Sequence, residues 1–194
     1  MNRVLPPVLL IALLVAFSLV APRLQEGLPG FSPMPAMFYC VAACMGTRWL
    51  WLPLTAWLLS YALTNLTQGY GWNFQVTIAL GIVLGGLAVA VGIGCALRGK
   101  NWMALVGGSV GAAVLFYVVT NTGSWLMLPD YPKTWAGLVQ AQTVGLPGLP
   151  PAWAFLKGLV SATALFTGLF LLGQRKWGAF PVASTVQPPL RTRR

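Results

Sequence analysis

Glu26 and Asp130 are the only carboxylates in this 194-residue chain, and there is no histidine. General acid–base pairs, zinc and haem sites, and nucleophile–base dyads all draw on those residue types. Their scarcity removes most enzyme chemistry, and no Gly-rich loop ending in Lys-Ser/Thr is present to hydrolyse ATP. Cys40, Cys44 and Cys95 sit inside apolar runs. Cys40 and Cys44 fall four apart on one helical face, where a thiol pair is conceivable, though buried cysteines more often serve as small hydrophobes. The expectation is a non-enzyme with no cofactor and no metal.

What remains is a set of amides, hydroxyls and aromatics: Asn65, Tyr70, Trp72, Asn73, Gln75, Thr120, Asn121, Trp125 and Tyr131. Such groups are costly near lipid unless paired and often mark a site, but aromatics at a membrane interface are also ordinary anchors. Both uses stay open. The ligand-binding candidates are Asn65, Asn73, Thr120, Asn121, Trp125 and Tyr131. Most of the specificity is concentrated in residues 116–138. That stretch ends an apolar run, turns polar at Thr120-Asn121-Thr122-Gly123, and continues through Trp125, Asp130 and the turn-forming Tyr131-Pro132-Lys133. Asn121 and Trp125 are expected to face the bundle interior, with Asn121 bonded to loop backbone, Asn65 or Asn73. Tyr131 to Leu138 should fold back as a cap.

These residues need elements to hold them, and composition says which. The chain is 57% hydrophobic and 7% charged, with a mean hydropathy of +0.75. A soluble domain carries about 25% charged residues, so the chain reads as an integral membrane protein surrounded by lipid. The net charge of +10 does not point to nucleic acid, because the Lys and Arg residues stand at the ends of apolar runs and form no basic face. The spacing predicts an all-α, polytopic transmembrane bundle of about six helices at roughly 20 residues per span. Residues 1–174 form the transmembrane domain and 175–194 a basic cytoplasmic tail.

The first helix covers 4–21 and is expected to be retained rather than cleaved as a signal peptide, for want of a good A-x-A site. A Pro/Gly loop covers 22–35, with Ser32 as N-cap of a short helix ending at Met45. Forty-nine uncharged residues from Trp49 to Leu97 divide into helices over 50–66 and 74–97. A fifth helix runs from Trp102 to about Val119. Residues 139–151 read as a loop or re-entrant piece, and the sixth helix covers 152–173. Nine basic residues fall on one side of such a bundle and three on the other, which places both termini on the cytoplasmic side. The pairs Ala12/Ala16, Gly81/Gly85, Gly107/Gly111 and Ala164/Gly168 are expected to pack helices closely.

Phe31-Ser32-Pro33 before a short Ala-rich helix, Leu58-Leu59-Ser60, Val119-Thr120-Asn121, Trp125 and Tyr131-Pro132-Lys133-Thr134-Trp135-Ala136-Gly137-Leu138 resemble an uncharacterised family of bacterial six-helix membrane proteins. That family is similar to the substrate-binding S-components of energy-coupling-factor (ECF) vitamin transporters. The resemblance implies an S-component-like fold with outer loops over a small-ligand pocket. It also implies a transmembrane coupling subunit with ATPases as partners, docked at Ala12 and Ala16. Gly30 and Tyr61 depart from the family pattern, where Asn and an acid are usual. A second expectation therefore stands beside the first: a non-catalytic accessory subunit of a larger membrane complex.

Overall fold

The computed structural model describes the backbone of residues 27–68 and 74–177, and their side chains except those of Thr64, Asn65, Thr67, Gln68, Gln75 and residues 175–177. The elements are α1 (Met34–Cys40), a π-helical turn (Val41–Met45), a 3-10 turn (Thr47–Trp49), α2 (Trp51–Gln68), α3 (Phe74–Ala96), α4 (Trp102–Met127), α5 (Trp135–Thr143) and α6 (Ala152–Trp177). The described residues thus form the expected all-α bundle, with six helices and no strand among them; α5 is an addition to the expected set, and the expected first helix over 4–21 lies outside the described residues.

Three helices are long and apolar enough to cross a membrane: Val76–Ala96, Trp102–Met127 and Ala152–Gln174. Only 17% of the α3 window is buried, so apolar side chains such as Leu84 point outward. An uncharged helix that is apolar on its exposed side is one solvated by lipid. The helix over Met34–Met45 is apolar but shorter, about 18 Å at 1.5 Å per residue, and it occupies the centre.

Packing around that central helix builds the core. Residues Pro35 to Ala43 are buried, against α2, α3, α4 and α6. Tyr39 Oη donates to the Leu105 carbonyl of α4 at 2.8 Å. Gly94 of α3 lies flat on the Tyr39–Ala43 backbone, where a Cβ would come within 2.6 Å of the Tyr39 oxygen. Arg98 Nε and Nη2 converge on the Ala42 carbonyl at 3.2 and 2.7 Å. Carbonyls near a helix C-terminus lack partners within the helix, and a cation is favoured there.

The contacts also fix direction. α3 passes Gly123 of α4 at Ile82 and reaches Tyr39 at Gly94, while α4 passes Tyr39 at Leu105 and runs back toward Gly123. α6 starts beside Tyr117 and ends its packing at Phe170, against the cluster that holds Leu105. The bundle therefore has an arginine end, at Arg48 and Arg98, and a cap end beyond Gly123.

Two stretches differ from the sequence expectation. α4 continues eight residues past Val119, to Met127, so Thr120-Asn121-Thr122-Gly123 is helix rather than a polar break. The polar side chains satisfy themselves on the turn behind them: Thr120 Oγ1 donates to the Phe116 and Tyr117 carbonyls, a back-bond that lets hydroxyls sit in helices. Residues 139–151 are not one loop either, because α5 takes Trp135–Thr143 and only residues 144–151 connect it to α6. The helix pairs also pack differently from the expected small-residue seams. Gly81, Gly85, Gly107, Gly111 and Gly168 have open space where a Cβ would stand, whereas Gly86, Gly94, Gly108 and Gly123 are the close contacts.

Candidate functional site

A cavity of about 370 Å³ lies toward the cap end, over the start of α1. α4 contributes Phe116, Tyr117, Thr120 and Asn121; α3 contributes Val83 and Leu87; α6 contributes Phe155 and Leu159. Trp57 of α2 and the segment from Gly30 to Pro35 complete the wall. No charged side chain lines it among the described residues, and this volume is within the range of small-molecule sites. Gly30 (φ +75°) closes it because the backbone runs directly against Phe155, where a Cβ would come within 2.5 Å of the carbonyl oxygen. Only glycine combines that close approach with a left-handed φ.

Polar groups in the wall are few. Asn121 Nδ2 donates to the Tyr117 carbonyl one turn back at 2.9 Å. Among the described residues the amide thus bonds to its own helix rather than to loop backbone, while the other expected partners, the Asn65 side chain and Asn73, lie outside them. Ser32 Oγ accepts from the Met34 N–H at 3.3 Å, in the turn leading into α1, whose N-cap is Pro33. A smaller cavity of about 160 Å³ opens between α3 and α4 and shares Val83 and Thr120 with the first.

Above the cavity, α4 and α5 form a tied hairpin. Trp125 Nε1 donates to the Pro132 carbonyl at 2.8 Å, so the indole reaches the returning loop rather than the bundle interior. The Lys133 ammonium bonds the Trp125 and Leu128 carbonyls at the end of α4, where a cation suits both the free carbonyls and the helix dipole. Thr134 caps α5 by accepting from the Gly137 N–H at 3.2 Å. About two α4 turns deeper than Trp125, Tyr117 Oη donates to the Gln142 carbonyl at 2.7 Å. Gln142 Nε2 returns bonds to the Val118 carbonyl and Thr122 Oγ1. Tyr117 thus joins the two parts, with its ring in the cavity wall and its hydroxyl on α5.

Tyr131 is buried in this cap and does not line the cavity. Burial raises its phenol above the ordinary value near 10, and the Asp130 carboxylate adds to the shift. Trp135, within the Tyr131–Leu138 segment expected to cap the bundle, is 78% exposed.

Of the six candidate ligand residues, Thr120 and Asn121 meet in the cavity wall, and Trp125 and Tyr131 belong to the cap. The side chain of Asn65 and all of Asn73, Ala12 and Ala16 lie outside the described residues. Sequence reasoning missed Phe116 and Tyr117, although they stand four residues before Thr120 and Asn121 and so share their helical face. It also missed the return bonds from Gln142.

The pattern of the family of unknown function DUF6580 matches residues 2–185. The chain belongs to that family. The DUF6580 match includes every described helix, so the cavity walls and the cap both lie inside it. No curated protein and no solved structure matches the chain.

Proposed function

We propose that this DUF6580 protein is a non-catalytic membrane subunit that captures a small uncharged molecule for an uptake transporter. The observation that carries the reading is the cavity of about 370 Å³ with Thr120 and Asn121 in an otherwise apolar and aromatic wall. Apolar walls with a few placed polar groups are the usual make-up of ligand sites. A wall without charge disfavours strongly ionic ligands, which would lose hydration without a partner. In this reading the membrane is a bacterial inner membrane crossed six times with both termini cytoplasmic, and the Ala12/Ala16 face meets a transmembrane coupling subunit with its ATPases.

Purification from native membranes tests it. Co-purification of an ATPase pair with a coupling protein supports capture for transport. An unrelated multi-subunit assembly supports the second reading, an accessory subunit. A specific observation favours that second reading: Gly81, Gly85, Gly107 and Gly111 present open backbone, a surface that another helix could approach closely.

A further inference from the structure

Exposed positions on α6 recur every fourth residue: Trp153, Lys157, Ser161, Leu165 and Leu169. From the cap end inward the order is aromatic, cation, hydroxyl, then leucines. Lys157 is the only charged residue in Ala152–Gln174, and its ammonium lies 4.4 Å from the centre of the Trp153 ring. A groove of about 340 Å³ runs beside it, walled by Leu28, Pro29, Ala154, Lys157, Gly158 and Ser161. None of these residues lines the central cavity. Gly158 is what admits the second wall, because a Cβ there would overlap the Pro29 carbonyl.

We infer that this groove holds an anionic phospholipid, with its phosphate on Lys157, its glycerol ester against Ser161 and an acyl chain along Leu165 and Leu169. A long cationic side chain on a membrane helix points back toward the helix N-terminus and lifts its charge toward the headgroups, which is where the stack on Trp153 places it. Ser161 stands one turn deeper, about 6 Å along the axis, at the level of a lipid's ester linkage when the phosphate is at Lys157. Deeper still, the leucines continue the same stripe with nothing polar between them. The order of chemistry on α6 is therefore the order of chemistry along one lipid. Charge complementarity selects an anionic one: Asp130 is the only carboxylate among the described residues, and Lys157 makes no ion pair there. Glu26 precedes Gly27 in sequence and lies outside the described residues, so the test includes it.

The test is native mass spectrometry of the full chain in detergent, titrated with phosphatidylglycerol or phosphatidylcholine. Preferential retention of phosphatidylglycerol is expected, falling about fivefold in Lys157→Gln, the factor one basic side chain contributes at an anionic surface. Lys157→Arg should retain the lipid, and phosphatidylcholine retention should not change in any variant. Equal retention of both lipids by the wild type, or an unchanged value in Lys157→Gln, overturns the assignment. Displacement of the lipid by soluble glycerol phosphate at matched concentration would assign the site to a free phosphate instead. A gain in lipid retention in Glu26→Gln would show Lys157 occupied by that carboxylate, and overturns it too.

Discussion

Gly137→Ala sets helix propensity against packing at one atom. Alanine is the better helix former by about 1 kcal/mol, and Gly137 sits inside α5, so propensity alone says that the variant is more stable. The structure says the reverse. A Cβ at Gly137 would overlap the Pro132 carbonyl oxygen and stand 3.3 Å from Trp125 Nε1, the two ends of the bond that closes the cap. Either α5 moves out or the Trp125–Pro132 bond opens. Overpacking of this kind costs about 1–3 kcal/mol, and a lost hydrogen bond adds about 1 kcal/mol. After the propensity gain, the cap should be weaker by about 1–3 kcal/mol. Limited proteolysis in detergent between Leu128 and Gln142 reads this directly, with the melting temperature as a second measure. Faster cleavage and a lower Tm are expected. Unchanged cleavage together with a raised Tm would refute the tied-cap geometry.

Asn121→Leu should leave cap proteolysis and Tm nearly unchanged, since among the described residues its amide bonds to its own helix, while Trp125→Phe should accelerate cleavage at the cap by removing the Pro132 bond. Gly94→Ala should destabilise by about 2 kcal/mol through overpacking against the Tyr39–Ala43 backbone. Gly81→Ala, with open space around its Cβ, should be neutral or stabilising by up to about 1 kcal/mol; similar Tm losses in the two variants would contradict the observed helix faces. The Tyr131 phenol is raised in the fold, so the folded state holds its proton more tightly than the unfolded chain. Its contribution to stability is complete below pH about 10 and declines as pH rises beyond that. Cap protection should fall less steeply above pH 10 in Tyr131→Phe.

Apolar length made the long helices readable. α3 and α6 begin where the polar break before Phe74 and the prolines before Ala152 predict, and α4 begins at Trp102 behind an Asn101 cap that accepts from the Ala104 N–H. The C-terminal extension of α4 was not readable from hydropathy, because Thr120 to Gly123 look like a break until their bonds to the preceding turn are seen. α5 did leave a local signal. Thr134 is a good N-cap residue, Trp135 to Thr143 contain no proline, and Gly145 (φ +78°) donates to the Gln140 carbonyl as a left-handed stop. Weighing residues 139–151 together, by their prolines, hid that start and stop. The glycines show a different limit. Gly85 and Gly86 are 100° apart on the helix, as are Gly107 and Gly108, and only the tertiary arrangement says which of each pair faces inward. The burial of α1 is equally a property of its surroundings, since nothing in its seven residues specifies four neighbours.

Ligand capture is tested most directly by identifying what the cavity carries. Protein purified from native membranes would be denatured and the released small molecules compared between wild type and Val83→Phe, since Val83 lines both the central and the side cavity. Binding requires an uncharged compound released from the wild type and missing from the variant, with the purified compound raising the wild-type Tm only. A variant that is simply more stable because a void has been filled, with identical small molecules released from both proteins, would contradict it.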